Sequence, residues 1–419
     1  MTSAVGTSRD PRSRGDGLGW VTRAVFGDER VTLTVGAAPP AGHRVAARYA
    51  VVPSVSRARF LLPLGAPRAT AAALLAYNAL RPPRVRAVRA ALGGLSRVGA
   101  AGPAFPTLTV SVPGGVTPAE LLLAERLGET LAAGPLHAGC GVRPPDPNHK
   151  PTLALFTGDG RPRGYAKIGW NGATRALVTA EAAALRELAE LTGVPDHPAT
   201  PRLLAQVEWA GQVVAVVEPL PPRVRAVPLT EPPQIAALLA VARRGRPASP
   251  PRPLAGSSFL DRLTAEAARA GAADASGRRA VAAVAALARR HGGTALEFGH
   301  WHGDWVPWNL GRHAGELVAW DWEHSAPDVP LGFDLAHDAF QRALVLRGEP
   351  AAAAAGAVDT RLARYGDQLG LDPARRQAVA DAYLVEMWLR TFRLADAGAG
   401  WNAALHPALL DVIEKRHNV

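Results

Sequence analysis

Apolar positions along this chain follow two different periods. Over roughly the first half, short runs such as Val31–Val35 and Thr107–Val112 alternate between polar and apolar residues, and Val213–Val217 is continuously apolar; both patterns are typical of β-strands. The predicted strands are Val31–Val35, Arg44–Val52, Arg59–Leu62, Thr107–Val112, Leu136–Val142, Thr152–Thr157, Gly164–Trp170 and Val213–Val217. Other segments repeat apolar residues at helical spacing, and the predicted helices are Ala66–Leu80, Val85–Leu95, Thr174–Leu191, Phe259–Ala270 and Arg278–His291. The pattern predicts a mixed chain in which strands dominate early and helices dominate late.

One further helix is predicted from its start signal. Thr117 can cap the helix, Pro118 suits its first position, and Glu120 completes a capping box. A single helix is therefore predicted from Pro118 to about Ala133.

Composition excludes several classes of protein. With 419 residues and 48% hydrophobic content, the chain can form two or three domains with sizeable cores. The single cysteine, Cys140, excludes an internal disulfide and a zinc site built from several cysteines, so a reducing, cytoplasmic location is expected. Residues 1–18 are polar at their start, do not resemble a signal peptide, and are predicted to be disordered. No apolar run reaches the ~18 residues of a membrane span, so no membrane partner is expected.

Arginine supplies nearly all of the positive charge. The net charge is +11, but the arginines are scattered, with short clusters at Arg81–Arg89 and Arg243–Arg252. Because there is no basic helix with interleaved aromatic residues and no zinc-finger spacing, nucleic acid is not an expected partner. Only three lysines occur: Lys150, Lys167 and Lys415. A lysine that persists against this bias can be required by chemistry, and chance is the alternative.

Three polar residues form the most informative pattern. Asp304 and Asn309 lie five positions apart in a segment that Pro307 keeps from being regular helix. Asp321 ends the apolar run Leu317–Trp320, a predicted strand. Phosphoryl transfer needs such a set, with one carboxylate for the hydroxyl proton and a second carboxylate and an amide oxygen for Mg²⁺. The alternative is a Trp-rich loop whose Asp and Asn only cap turns.

A second pair is predicted further towards the N-terminus. Glu181 lies on the apolar stripe of the predicted helix, between Val178 and Leu185. A carboxylate on an apolar face is costly to bury without a cation, and Lys167 in the preceding strand is the natural partner. The alternative is a glutamate at the edge of the core that reaches solvent.

The forms H-G-D-x-x-x-x-N at His302–Asn309 and D-W-E at Asp321–Glu323 resemble the aminoglycoside phosphotransferase and choline kinase family, whose fold is protein-kinase-like. The resemblance covers residues 134–419. It implies that Asp304 is the catalytic base and that Asn309 and Asp321 bind Mg²⁺.

The same resemblance assigns roles before the catalytic loop. Lys167 would orient the α- and β-phosphates of ATP, and Glu181 would hold Lys167. The segment after Val213–Val217 resembles the hinge between lobes, where the adenine edge would hydrogen-bond to backbone around Glu218 and Leu220.

The chain departs from the family at the nucleotide loop, because no G-x-G-x-x-G is present. The corresponding loop, Arg143–Lys150, is rich in proline and carries Asn148 and Lys150. Such a loop can offer an amide, an ammonium and backbone N–H groups to phosphates. The alternative is that Lys150 is a surface residue.

Further candidate residues follow the catalytic loop, and only the first of them comes from the resemblance. Asp334 occupies a position where the family commonly has an Asp that braces the catalytic loop. Glu386, Arg390 and Trp401 are candidates for an acceptor site. An aminoglycoside would need carboxylates, and the candidates by proximity are Glu323, Asp328 and Asp338.

Together these features predict an α+β, bilobal protein-kinase-like fold. Its β-rich N-lobe would be residues 134–223 and its helical C-lobe residues 224–419, with an extra α/β accessory domain of unknown role at residues 19–133. The predicted function is ATP- and Mg²⁺-dependent phosphorylation of a hydroxyl on a small molecule, such as an aminoglycoside-like compound. Alternatives are a catalytically silent nucleotide-binding module, a protein kinase and an Arg-rich nucleic-acid binder. The acceptor, the choice of ATP or GTP and the oligomeric state are left open.

Overall fold

The computed structural model describes residues 16–76, 80–99, 101–191, 193–400 and 405–417. They form two compact units. Unit one holds the chain up to Thr179 together with Pro201–Val224, and unit two holds Ala180–Thr200 together with the chain from Arg225 onwards. The disorder predicted for residues 1–15 lies outside the described residues. The first helix begins at Gly17, inside the segment predicted to be disordered.

Unit one is built on one large antiparallel sheet. In chain order its elements are α1 (Gly17–Val25), β1 (Thr32–Val35), β2 (His43–Val52), β3 (Phe60–Pro63), α2 (Pro67–Leu75), α3 (Pro83–Arg97), α4 (Ala101–Ala104), β4 (Thr107–Pro113), α5 (Pro118–Leu121), α6 (Leu123–Thr130), β5 (His137–Gly141), β6 (Thr152–Phe156), β7 (Pro162–Gly169), α7 (Gly172–Ala189), β8 (Leu203–Trp209) and β9 (Gln212–Val217). Helix α7 begins in unit one and ends in unit two. The sheet order is β1-β4-β2-β3-β5-β6-β7-β9-β8.

The N-terminal segment and the following strands share this sheet. β3 pairs with β5, placing Phe60 opposite Gly141. A single cluster of buried apolar residues extends from Leu18 to Val216. The predicted boundary between residues 133 and 134 therefore falls within unit one, and the division of this unit into an accessory domain and an N-lobe stays a prediction.

The helix predicted after Thr117 is interrupted. α5 ends at Leu121, Leu122 is extended, and α6 begins at Leu123. All three leucines are buried. A continuous helix would spread three consecutive side chains over roughly 200° and turn one away from the core. Thr117 makes no side-chain capping bond, so the predicted capping box is wrong.

Unit two is mainly helical and carries short sheets. From Arg225 onwards its elements are β10 (Arg225–Ala226), α8 (Ile235–Arg243), β11 (Arg252–Pro253), α9 (Ser258–Ala273), α10 (Ala275–His291), β12 (Ala295–Leu296), β13 (Phe298–Trp301), β14 (Leu310–His313), β15 (Glu316–Ala319), β16 (Ala326–Pro330), α11 (Phe333–Gln341), α12 (Ala351–Tyr365), α13 (Pro373–Leu394) and α14 (His406–His417). Its sheets are β10-β14-β15, β11-β12 and β13-β16. Helix α13 is buried from Ala378 to Arg390, as expected of a helix surrounded by other elements.

The structure confirms a mixed chain with a large antiparallel sheet early and helices late. No helix among the described residues combines the length and the apolar character that crossing a bilayer requires.

Candidate active site

The loop of residues 302–309 connects β13 to β14 in unit two. β14 and β15 form a hairpin in which Leu310 lies opposite Ala319. Asn309 and Trp320 therefore meet at the open end of the hairpin, where the Trp320 N–H donates to the Asn309 carbonyl at 3.2 Å. Asp321 follows at once, in a left-handed conformation with φ 64°. The hairpin thus brings Asp321 next to the end of the loop that carries Asp304.

His302 joins the two sides of this site. Its Nε2 lies 3.1 Å from the Trp320 carbonyl and its Nδ1 lies 3.2 Å from the Asp304 backbone nitrogen. A carbonyl only accepts and a backbone N–H only donates, so the ring is neutral with its proton on Nε2. Burial lowers the pKa of His302 to about 4, in agreement with this form. The His302 imidazole therefore links the loop to the hairpin through two hydrogen bonds.

The backbone at Gly303 is held from two directions. The Asp334 carboxylate accepts from the His302 N–H at 2.7 Å and the Gly303 N–H at 3.0 Å. Arg390 donates to the Gly303 carbonyl at 2.6 Å. Burial raises the pKa of Asp334 to about 7, while the two N–H bonds favour its ionised form. Asp334 therefore contacts backbone, as a bracing residue does.

Replacing Gly303 with Ala should destabilise the protein by about 3 kcal/mol. Gly303 has φ 79°, and an added Cβ would overlap the carbonyl oxygen of His324. Urea unfolding measures the loss. Gly315→Ala is the matched control, because Gly315 also has positive φ (90°) but has open space around it, and it should lose only about 1 kcal/mol. Equal losses would show that the close approach to His324 has no cost.

Asp304 is a carboxylate whose two oxygens are both held. Oδ1 accepts from His337 Nε2 at 2.9 Å, and Oδ2 accepts from Asn309 Nδ2 at 2.7 Å. Its side chain is 26% exposed. Burial raises the pKa of Asp304, but the hydrogen bond from His337 and the nearby charge of Arg390 outweigh it and hold the pKa well below its usual value. The group is therefore ionised, fixed in orientation and still reachable.

Behind Asp304 lies a chain of fully buried side chains. The Tyr383 hydroxyl lies 3.0 Å from His337 Nδ1, and burial lowers the pKa of His337. The consistent assignment is a neutral imidazole that accepts from Tyr383 and donates to Asp304. Sequence reasoning missed His337 and Tyr383. The available signal was a histidine three residues after Asp334 on the same apolar helix face.

Replacing His337 with Phe should lower kcat about 10–100-fold, because the carboxylate loses one of the two bonds that orient it. The KM for ATP should change less than about twofold, since the sequence predicts that Asp304 acts on the acceptor hydroxyl and not on ATP. His337→Gln supplies an amide N–H and should restore most of kcat. Steady-state kinetics on the three proteins checks this, and a Gln variant as impaired as the Phe variant would contradict it.

The residues proposed for Mg²⁺ fit that ion's chemistry. Among the described residues, no group of three His, Cys, Asp or Glu side chains could hold a metal. Mg²⁺ does not require one, because it is commonly held by one or two protein oxygens together with substrate phosphates and water. Asn309 uses Nδ2 to donate to Asp304, so its amide oxygen is the atom left for a metal. The Asp321 carboxylate would be the second oxygen ligand.

Two of the residues predicted to act on the nucleotide, Lys167 and Glu181, lie on a strand and on the helix that follows it. Lys167 is on β7, opposite Thr152 on β6, and belongs to unit one. Glu181 is on α7, is 1% exposed and belongs to unit two. Its burial agrees with its position on the apolar stripe. The ion pair between Lys167 and Glu181 stays a prediction.

The residues predicted for the hinge and for the nucleotide loop are also in unit one. Glu218 follows β9, and its carboxylate pairs with Arg202 at 2.9 Å, which lowers the pKa of Glu218. The Glu218 N–H already donates to the Arg202 carbonyl at 2.8 Å, so the Glu218 carbonyl and the Leu220 N–H are the atoms to consider for adenine. Asn148 is exposed and Lys150 is half-buried in the loop between β5 and β6.

Several residues suggested for the acceptor instead bind other protein groups. Arg390 holds the Gly303 carbonyl, and Glu386 pairs with Arg262 at 2.8 Å. Asp338 pairs with Arg342 at 2.6 Å and Arg361 at 2.9 Å, and Asp328 pairs with Arg252; Glu323 lies 3.7 Å from His324. Trp401 lies outside the described residues. Arginine-rich pairing thus engages most of the carboxylates that the sequence suggested.

No protein-family model and no curated protein matches this chain. Among solved structures, it is similar to aminoglycoside phosphotransferase APH(4)-Ia, with 13% identity, a TM-score of 0.45, and coverage of 70% of this chain and 97% of that chain. It is also similar to choline kinase LicA from Streptococcus pneumoniae, with 14% identity, a TM-score of 0.42, and coverage of 64% of this chain and 89% of that chain. A third similar structure is macrolide 2'-phosphotransferase type I, with 16% identity, a TM-score of 0.41, and coverage of 69% of this chain and 96% of that chain. The function proposed below rests on the residues of the site.

Proposed function

We propose that this chain is an ATP- and Mg²⁺-dependent phosphotransferase that phosphorylates a hydroxyl group of a small molecule. The observation that carries the proposal is the Asp304 carboxylate, ionised, reachable and held through both oxygens by His337 and Asn309. The β14–β15 hairpin adds Asp321 beside Asn309, as a metal ligand pair requires. The proposed fold is bilobal and protein-kinase-like, with an N-lobe at residues 134–223 and a C-lobe at residues 224–419.

In the proposed reaction, the acceptor hydroxyl donates a hydrogen bond to Asp304 and its oxygen attacks the γ-phosphorus of ATP. The new O–P bond forms as the bond from the γ-phosphorus to the β–γ bridging oxygen breaks, and ADP leaves. The hydroxyl proton passes to Asp304. A carboxylate with a lowered pKa is a weak base, so its main effect is to orient the hydroxyl, and the proton moves late.

The other proposed residues bind the nucleotide. Mg²⁺, when bound, neutralises charge on the phosphates, and Asn309 and Asp321 would hold it. Lys167 would contact the α- and β-phosphates with Glu181 as its partner. In the nucleotide loop, the amide of Asn148 and the ammonium of Lys150 would contact phosphate. Backbone at Glu218 and Leu220 would contact adenine.

A small-molecule acceptor is favoured over a protein by the short connection after Asp321. β16 begins at Ala326 and α11 at Phe333, which leaves little chain for an activation segment. A catalytically silent nucleotide-binding module is the second candidate, favoured by the missing G-x-G-x-x-G. Such a module would have no need of a carboxylate held as Asp304 is.

Transfer of label from ATP tests the proposal. The protein is incubated with ATP labelled in the γ-phosphate, Mg²⁺ and a panel of aminoglycosides, choline-like amines and sugars, with casein as a protein acceptor. Label on one class of small molecule is the expected result. Nucleotide binding with no transfer across the panel supports the silent module, and label on casein supports a protein kinase. Binding of neither ATP nor GTP contradicts the nucleotide site itself.

A further inference from the structure

Helix α1 packs against the loop proposed to bind phosphate. Gly17 opens α1, and an added Cβ there would overlap the carbonyl oxygen of Arg143, with the nitrogen of Pro144 3.3 Å away. One turn later, the Trp20 ring lies 5.5 Å from the His149 ring. Helix α1 therefore contacts the loop near the loop's start, at Arg143, and near the loop's end, at His149.

The loop is also held from the end of β7. Trp170 Nε1 donates to the His149 carbonyl at 2.9 Å, and Asn171 Nδ2 donates to the Pro147 carbonyl at 2.8 Å. Trp20 packs edge-on against Trp170, with ring centroids 5.8 Å apart. Trp20 thus contacts both the loop and the residue that anchors it.

The loop is stiff but open on its outer side. Asp146 accepts from the Asn148 N–H at 2.9 Å, and three prolines restrict the backbone. Residues 143–148 are exposed, while His149 and Lys150 are half-buried. A glycine-rich loop would lose more conformational entropy on closing over phosphates. A proline-rich loop that is anchored beforehand avoids part of that cost.

Cationic groups gather at this end of the sheet. Thr152, two residues after Lys150, lies opposite Lys167 on the neighbouring strand. Arg143 adds a second cation to the loop. Burial, together with the nearby charges of Arg143 and Lys150, lowers the pKa of His149 to about 4, so this ring is neutral at pH 7. The positive charge is therefore carried by Lys and Arg groups suited to phosphate oxygens.

Helix α1 is shaped as an internal support. Asp16 caps it by accepting from the Gly19 N–H at 3.1 Å. Seven of its nine residues are buried, including Trp20 at 7% exposure. Such burial alone is typical of a core helix. The contacts of Gly17 and Trp20 with the loop are what add a role at the site.

We propose that α1 positions the phosphate-binding loop, with Trp20 as the positioning residue that holds Pro147–Lys150 in place for the ATP phosphates. This gives the N-terminal segment a role in nucleotide binding and rests on the proposed function. In this proposal Trp20 acts through its contacts with His149 and Trp170. Its effect should therefore fall on the phosphates and spare the adenosine part of ATP.

Calorimetric binding of ATP with Mg²⁺ and of adenosine tests the proposal on the full chain. Trp20→Leu should weaken ATP binding about 5–20-fold and adenosine binding less than twofold, and Trp20→Phe should restore most of the ATP affinity because a ring remains. Phe26→Leu is the matched core control. Phe26 is 5% exposed at the end of the same helix and packs on Tyr49, so this change should lower the melting temperature without altering either affinity.

A second pair of variants tests the same inference in case Trp20→Leu does not fold. Gly17→Ala places a methyl against the Arg143–Pro144 backbone and should also weaken ATP selectively, whereas Gly94→Ala, with open space, should change nothing. The inference is overturned if both Trp20→Leu and Gly17→Ala weaken the binding of ATP and adenosine equally, or if both leave the affinity for ATP unchanged. Either result would leave the proposed function standing. A wild-type protein that binds neither ATP nor GTP overturns the proposed function and the inference with it.

Discussion

Replacing Asp304 with Asn is expected to lower kcat about 10³-fold while the protein folds and binds ATP normally. The amide cannot take the hydroxyl proton. Folding should survive because His337 can change tautomer: Nε2 then accepts from the new amide and Nδ1–H donates to the Tyr383 oxygen. The chain of hydrogen bonds remains complete with one proton moved, and Asn309 keeps its acceptor.

Steady-state kinetics and calorimetry on the purified variant check both parts of this result. Asp411→Asn is the control for loss of one negative charge, since the Asp411 side chain is 55% exposed and pairs with Arg279 on α10. It should retain wild-type kcat. An Asp304→Asn variant with more than about a tenth of wild-type kcat would remove Asp304 from the proposed role.

Replacing Asp321 with Asn should abolish the metal-dependent part of ATP binding. For a ligand that binds only the native state, a concentration 100 times Kd adds about 2.7 kcal/mol of stability, which a thermal shift detects easily. In the wild type, ATP with Mg²⁺ should therefore raise Tm more than ATP alone. In the variant the two should coincide, because an amide oxygen is a poor substitute for a carboxylate on Mg²⁺.

The choice of Asn rather than Ala matters here. Asp321 has φ 64°, a conformation that Asn adopts at less cost than Ala. Asp328 has φ 60° and is the matched control, because Asp328→Asn makes the same chemical change in the same backbone conformation. That control should keep the full Mg²⁺-dependent shift. A shift of wild-type size in Asp321→Asn would show that the metal, if bound, is held elsewhere.

Local patterns in the sequence were sufficient to predict several of the elements that carry the candidate residues. Gly164–Trp170, after the turn signal at Gly158–Gly160, was predicted to be the strand that carries Lys167, and the run Leu317–Trp320 was predicted to be the strand before Asp321. Both strands are confirmed. The helical stripe predicted the burial of Glu181, which is also confirmed. These predictions succeed because side-chain direction within one strand or helix repeats with a fixed period.

The capping box shows where local pattern fails. Thr117, Pro118 and Glu120 have the residue types of a helix start, and α5 does begin there, yet three adjacent leucines must all reach the core. Burial of large apolar side chains is worth more than one continuous turn of helix, since each buried leucine contributes about 1.5–3 kcal/mol. Tertiary packing therefore interrupts the helix.

The sequence by itself determined the mixed class of the chain, most of its strands and the spacing of Asp304, Asn309 and Asp321. Tertiary structure alone decided what surrounds them. His337 and Arg390 lie 33 and 87 positions away from the groups they bind, and α1 meets a loop more than a hundred residues downstream. A periodic pattern specifies which way a side chain points from its own helix or strand. Which other element that side chain contacts depends on how all the elements pack together, and a local sequence pattern does not contain this information.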